Sequence, residues 1–314
     1  MSDEIQDRGI PNLYYHVWDN GPTPTFNKQF YDSCEFIGCI SKLTHNIVKE
    51  LCGPGKCKYI PHGIDIDIFK PLSAEERIEH KSKMFNKKLD DRFVLFYNSR
   101  NARRKSTSSI VESYRDFANL VGKDKVFFLM HTDPADPEGA NLLAVCEMLG
   151  LTPDQIAFSK EKIPAQQINI YYNICDCTIN ASNNEGFGLS CLESLACGRQ
   201  AIVNKTGGLQ DQIFDDEGNE LGVCMEPLVR TLTGSQEIPW ILDDRNSVEQ
   251  MVQSMLKLYN QSKEEKEKKE KLARDWVLKK FTKEQMIKSW DEIIMEKIEL
   301  YKNGNPNRIK FGKI

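Results

Sequence analysis

The stretch CDCTINASNNEGFGLSCLESLACG, residues 175–198, decides the fold. An apolar run, CDCTIN, ends in a polar loop with Gly186 and Gly188, and the loop passes into LSCLESLA, closed by Gly198. Strand, crossover loop and helix is the reading of that change in period. Glu185 stands on the loop and Glu193 one to two turns into the helix, which is a poor arrangement for stability alone. At such a junction the amides of Gly186, Phe187, Gly188 and Leu189 can face an anion or sugar oxygens. Glu193 can then take both hydroxyls of a ribose, as acidic residues do in dinucleotide folds. Glu185 can hold hydroxyls of a second sugar. The plainer reading is a glycine-rich turn with two ordinary exposed glutamates.

Outward from this stretch the same alternation continues. Upstream lie strands in RFVLFYN, KVFFLMH and QIAFS, separated by helical STSSIVESYRDFANLV, capped by Ser106 or Thr107, PEGANLLAVCEMLG, stopped by Gly150, and PAQQINIYYNI. Downstream come QAIVN and GGLQDQIF, then VRTLTGSQEIPWILDD, read as a loop or hairpin insertion, and three helical segments. Strands apolar throughout and separated by helices imply a parallel sheet covered on both faces. A shorter series precedes it: strands in NLYYHV, EFIGCI and KYI, with helices in TFNKQFYDSC and in SKLTHNIVKEL, opened by Ser41. The fold expected is therefore α/β, with two Rossmann-like doubly wound parallel-sheet domains, the first cut down to about three strands, and C-terminal helices. The expected divisions are 1–75, a linker helix 76–90, a larger domain 91–261, and helices 262–314. The last helix, Lys283 to Tyr301, carries Trp290, Ile294 and Ile298 at helical spacing. It either crosses back onto the first half or closes the larger domain.

In open parallel sheets ligands gather at the carboxyl ends of strands. Three more such ends carry unusual residues. YNSRNARRK places Ser99, Arg100 and Lys105 on a loop before a helix, where two cations suit a diphosphate; a basic loop that only keeps the edge soluble fits the spacing equally. NKTGGLQDQI offers Thr206, Gly207 and Gly208 at another helix start. MHTDP places His131 as a site residue or a satisfied cap.

Bulk composition narrows the function. The 314 residues hold 40 % hydrophobic and 28 % charged residues at a net charge of −4, which gives no support for a nucleic-acid or anionic-membrane surface. No apolar run reaches membrane-spanning length, and MSDEIQDRGI lacks the apolar core of a signal peptide. The ten cysteines are scattered through strand- and helix-like segments, which suits buried reduced thiols and a cytoplasmic protein. The pairs Cys52/Cys57 and Cys175/Cys177 lack a partner pair at zinc-site spacing, so no metal site is expected. No GxGxxG follows a strand, which speaks against a dehydrogenase.

With Ser182 before it, SLACG after it, SRNARRK upstream and the earlier YIPHGIDIDIFKP, EGFGLSCLE forms an E-x7-E motif. It resembles the retaining nucleotide-sugar glycosyltransferases of the GT-B fold, family 4. The resemblance is densest from Cys175 to Gly208, and NLYYHVWDN and its neighbours resemble a segment on the acceptor side of the family's cleft. It implies a hexosyltransferase that uses a UDP- or GDP-linked sugar as co-substrate and needs no metal or other cofactor. Arg100 and Lys105 would bind the donor's diphosphate and stabilise the leaving group, and Glu193 would hold the ribose. Glu185 and the amides of Gly186 to Leu189 would position the transferred sugar, with Gly207 and Gly208 near the same diphosphate. The acceptor, a glycan, lipid or protein, is not implied.

The sequence departs from the family in its first half, which lacks the early glycine-rich loop and enters that domain near its end. His16 is the nearby candidate for the family's acceptor-side histidine, though its strand setting favours a structural role. His62 stands where the family more often has asparagine, and reads as a cleft-floor residue. A fragment, a short form completed by a partner subunit or by self-association, and a non-catalytic sugar-nucleotide-binding subunit are all compatible with such a shortened half.

Overall fold

The computed structural model describes residues 11–85 and 91–302. Residues 86–90 of the expected linker, and the expected segments 1–10 and 303–314, lie outside the described residues. The chain forms two parallel sheets and a hairpin.

The first sheet holds β1 (Leu13–His16), β2 (Phe36–Cys39) and β3 (Cys57–Tyr59), paired in chain order. Helices α1 (Lys28–Ser33) and α2 (Lys42–Cys52) connect them. Ser41 caps α2 through its hydroxyl, which accepts from the Thr44 amide at 3.1 Å. Tyr31, Ile37, Ile47, Val48 and Trp18 fill one face of this sheet. Its other face carries Phe36 and Ile60, and is covered from the far end of the chain by α11 (Lys283–Lys302) through Met286, Trp290 and Ile293. Gly38 has no side chain because a Cβ there would overlap the Trp290 ring. The contact face is therefore Met286–Trp290–Ile293, and Ile294, expected beside Trp290, is instead exposed.

The second sheet contains β4 (Phe93–Asn98), β5 (Val126–His131), β6 (Ile156–Ser159), β7 (Cys177–Asn180), β8 (Gln200–Asn204) and β9 (Val223–Met225). They run in the order β6-β5-β4-β7-β8-β9, all parallel. Successive strands walk outward from β4 in one direction and from β7 in the other, so the order reverses between those two. Residues alternate between the faces, with Leu95 and Tyr97 meeting α4 (Thr107–Val121) and α9 (Val248–Tyr259). Val94 and Phe96 meet the opposite layer of α6 (Ala165–Ile174), α7 (Leu189–Ala196) and α10 (Lys263–Lys280). The linker helix α3 (Ala74–Phe85) packs on α6. Short helices α5 (Leu142–Met148) and α8 (Leu209–Ile213) complete the crossovers. Helix α5 starts at Leu142 behind an Asn141 cap, later than the sequence pattern suggests.

The 229–245 stretch is a hairpin, β10 (Val229–Thr233) with β11 (Ile241–Arg245), antiparallel. It reaches across to the first unit, where the Leu242 amide donates to Gly21 O at 2.6 Å and the Asn20 side-chain amide donates to Asp244 Oδ2 at 2.7 Å. Trp240 adds an edge-to-face contact with Phe26. All ten cysteines are free thiols, most of them buried. Among the described residues no helix is long and apolar enough to cross a membrane.

Candidate functional site

A cavity of about 360 Å³ opens where β4 and β7 diverge, at the reversal of strand order. Asn98 and Ser99 at the end of β4 form one wall, together with Arg104 and Lys105 on a single 3-10 turn. The loop from β7 into α7 forms another, with Glu185 to Ser190 and then Glu193. Val17, Asp19, Ile40 and His62 close the cavity from the first unit.

The β7–α7 loop is set by buried hydrogen bonds rather than by side-chain bulk. Asn183 N donates to Arg104 O at 2.7 Å, Asn204 Nδ2 to Ser182 O at 2.8 Å, and Ser106 Oγ to Asn183 Oδ1 at 2.8 Å. Ser106 takes a left-handed conformation and spends its hydroxyl on this loop, while the Thr107 hydroxyl donates to Asn101 Oδ1. Neither caps α4 through its side chain, contrary to the expectation from sequence. Gly188, at φ +91°, turns the chain into α7, whose first two residues, Leu189 and Ser190, line the cavity and precede the first amide that reaches back to Gly188 O, that of Cys191 at 3.0 Å.

Charge at the site is paired but not cancelled. Lys105 Nζ bonds Glu185 Oε2, and both side chains are nearly buried. Burial lowers the lysine pKa, and the Glu185 charge opposes that shift. Ser182 Oγ donates to the same carboxylate at 3.3 Å, and Arg104 Nη1 lies 3.7 Å from it while donating to Asn184 O at 2.8 Å. Glu193 accepts from Tyr172 Oη at 2.6 Å and Asn98 Nδ2 at 3.3 Å. Burial raises its pKa to about 7 against those two hydrogen bonds. Asp19 is raised by burial, with Arg104 opposing. His62 shares a hydrogen bond of 3.0 Å with Tyr15 Oη, and burial lowers its pKa. Among the described residues no group of three or more histidine, cysteine or acidic side chains has the arrangement of a metal site.

Of the residues singled out from sequence, Ser99, Lys105, Glu185, Gly186, Phe187, Gly188, Leu189 and Glu193 line this one cavity. Four do not. Arg100 turns away and pairs with Asp136, its Nε 2.7 Å from Oδ2, and Arg104 takes the place beside Lys105. His131 bonds Ser159 Oγ at 3.1 Å and meets the Tyr171 ring. Gly207 and Gly208 lie behind the loop instead of offering amides to the cavity: Gly208 N donates to Glu185 O at 2.9 Å, and a Cβ on Gly207 would overlap Glu185 O and Asp19 O. His16 is buried against Tyr31 Oη at 2.6 Å, with its pKa lowered to about 4 by burial. Asp19, Arg104 and Asn98 were not read from sequence. The one signal was position, since Asp19 follows a strand and Arg104 lies among four cations between Arg100 and Lys105.

Comparison with known proteins places this geometry in context. The model of the family described as "Glycosyl transferases group 1" matches residues 78–272. An alpha-monoglucosyldiacylglycerol synthase from Acholeplasma laidlawii is 25 % identical over 224 residues, 69 % of this chain and 53 % of that protein. A D-inositol 3-phosphate glycosyltransferase from Acidothermus cellulolyticus is 25 % identical over 54 % of this chain and 37 % of its own length. The chain thus spans about half or less of the length of these curated relatives. Among solved structures, a sucrose-phosphate synthase from Thermosynechococcus elongatus superposes with a TM-score of 0.71 at 16 % identity, over 92 % of this chain and 68 % of that one. Anabaena Alr3699/HepE, solved in complex with UDP and glucose, gives 0.68 at 13 % identity, over 91 % and 72 %. At these identities the superpositions speak to the GT-B fold alone.

Proposed function

Because this chain belongs to the glycosyl transferases group 1 family, we propose that it transfers a hexose from a nucleoside diphosphate donor to a hydroxyl acceptor with retention of anomeric configuration. The observation that carries the reading is the convergence, at the sheet's switch point, of Arg104, Lys105, the start of α7 and the Glu193 carboxylate. Two cations and unpartnered helix amides match the charge of a diphosphate, which grows as the anomeric bond breaks and the sugar becomes cation-like. Arg104 replaces Arg100 in this role. Lys105 spans the leaving phosphate and Glu185, and Glu185 with the Gly186–Leu189 backbone takes the sugar hydroxyls. Glu193, ionised, takes the ribose diol. The departing phosphate can receive the acceptor's proton on the same face, so the reading assigns no separate protein base, and the two cations supply the neutralising charge without calling on a metal. A UDP-linked hexose is the donor favoured, since Anabaena Alr3699/HepE, of the same fold, was solved with UDP-glucose. Ten free thiols fit a cytoplasmic setting.

A nucleotide-sugar panel read by thermal shift, followed by titration calorimetry and donor turnover, tests this. UDP and UDP-hexoses should raise the melting temperature in proportion to their affinity. No binding by any nucleoside diphosphate overturns the proposal. Binding without hydrolysis or transfer identifies a sugar-nucleotide-binding subunit instead, a reading that the three-stranded first sheet keeps in view.

A further inference from the structure

Asp244 is only 1 % exposed, although it stands on a two-stranded ribbon outside both parallel sheets. A carboxylate buried there needs partners on every side. Arg230 Nε donates to its Oδ1 at 2.5 Å from the neighbouring strand, and Asn20 Nδ2 donates to its Oδ2 at 2.7 Å from the first unit. Its backbone turns to the other unit: Asp244 N donates to Asn183 O at 2.8 Å, and Asp244 O accepts from Asn204 Nδ2 at 2.7 Å. One residue of β11 thus grips the first unit with its side chain and the loop that carries Glu185 with its main chain.

The neighbours of Asp244 repeat the arrangement. Leu242 N donates to Gly21 O, and Leu242 O accepts from Asn20 Nδ2 at 3.0 Å, both on the side of the first unit. Asp243 Oδ1 accepts from Asn184 Nδ2 at 2.8 Å on the side of the Glu185 loop. Ile241 packs against the cluster that holds Trp18, and Trp240 meets Phe26 with ring centroids 4.7 Å apart. Val17 and Asp19, which close the cavity, immediately precede the gripped Asn20 and Gly21. Parting the units here would strand the buried Asp244 carboxylate and the buried Asn20 amide. It would also leave the hairpin alone, and a two-stranded ribbon is marginal by itself. We propose that β11 is a strap that holds the first unit shut over the cavity before any ligand binds, so that a nucleotide enters a pocket already formed. The strap belongs to the seam between the units, and only the nucleotide arm of its test rests on the donor reading above.

Hydrogen exchange of the full chain, read by mass spectrometry on the peptide 240–246 with and without UDP, tests this. None of those residues lines the cavity, so their protection reports the seam and not direct contact with the nucleotide. In the wild-type chain saturating UDP should change exchange there by less than about twofold. The double variant Asn20→Ala/Trp240→Ala cuts the strap. Its 240–246 peptide should exchange at least about tenfold faster, and UDP should now slow it, because binding must draw the units together. If the closed fraction falls to about a tenth, UDP affinity falls about tenfold with it. Leu232→Ala, on the exposed side of the outer strand, should match wild type in both readouts. Protection of the peptide 93–98, in the centre of the second sheet, is the check on folding; should the double variant lose it, Asn20→Ala alone takes its place. A wild-type seam that UDP slows tenfold or more, or a cut strap with wild-type exchange, overturns the proposal. Failure of the wild type to bind UDP removes the donor reading instead, and the strap is then decided by exchange of the ligand-free proteins.

Discussion

Tyr172 Oη donates to Glu193 Oε2 at 2.6 Å, from a tyrosine with no exposed surface. This bond favours the carboxylate, yet burial outweighs it and sets the pKa near 7. Nucleotide binding that uses the ionised form should therefore weaken as pH falls below about 7, by up to tenfold per pH unit. Calorimetric titration of UDP from pH 5.5 to 8.5 measures this, with Glu193→Gln in the same buffers as the reference that cancels ionisation of the nucleotide. The Gln variant should bind weakly with a flatter profile. The sign for stability is opposite. A carboxyl raised in the folded state binds its proton more tightly there than in the unfolded chain, so its contribution declines as pH rises from 4.5 to about 7. At pH 8 the Gln variant should melt higher than wild type.

Lys105 and Arg100 should behave differently on removal. Lys105→Ala strands the nearly buried Glu185 carboxylate and should cost about 3 kcal/mol in urea unfolding. It should also lower donor turnover more than donor affinity. Arg100→Ala breaks a pair in which the arginine is exposed and Asp136 largely covered, and should cost no more than about 1 kcal/mol of stability while leaving the UDP dissociation constant unchanged. A loss of UDP affinity in the Arg100 variant would restore that residue to the phosphate site.

Gly207 sits at φ +44° with Glu185 O and Asp19 O where a Cβ would go. Gly207→Ala should push the Glu185 loop out of place, lowering stability by about 2 kcal/mol and weakening UDP binding together. Gly55→Ala, where open space surrounds the position, is the control and should change neither.

The face that α11 turns to the first sheet is testable by pairs of neighbours. Ile293→Ala should destabilise by about 2 kcal/mol and Trp290→Ala by about 3 kcal/mol, because both fill the packed layer against Phe36 and Ile60. Ile294→Ala, on the exposed side, should fall within about 0.5 kcal/mol of wild type.

The sequence displayed the second sheet well because its strands are apolar on both faces and its helices carry strong periodicity, as at Val94 to Tyr97 and Ile110 to Phe117. The loop around Glu185 was legible for the same reason: a glycine-rich crossover between such a strand and helix has few other uses. Which cation faces the cavity was not legible. Between Arg100 and Lys105 the chain makes an irregular bend and one 3-10 turn, and the choice falls to Asp136, which captures Arg100 from a loop 36 positions away. Asp19 was invisible because its neighbours in the site come from the other unit, through contacts such as Glu185 N to Asp19 O. The hairpin was ambiguous because its outward strand, Val229–Thr233, is largely exposed and carries no buried stripe. Ser106 does stand at the N-cap of α4, but its hydroxyl serves Asn183, a tertiary partner, instead of the helix amides.

The covering of β1–β3 by α11 has a consequence for how the molecule is made. Cys57 starts the last strand of that sheet and Lys283 begins the helix that seals it. On a ribosome advancing about 5–20 residues per second, the sheet waits on the order of tens of seconds with Phe36 and Ile60 bare. During translation, then, the β1–β3 sheet depends on a helix made much later, and a nascent chain halted before Trp290 would expose the greasy Phe36–Ile60 face of that sheet to chaperones.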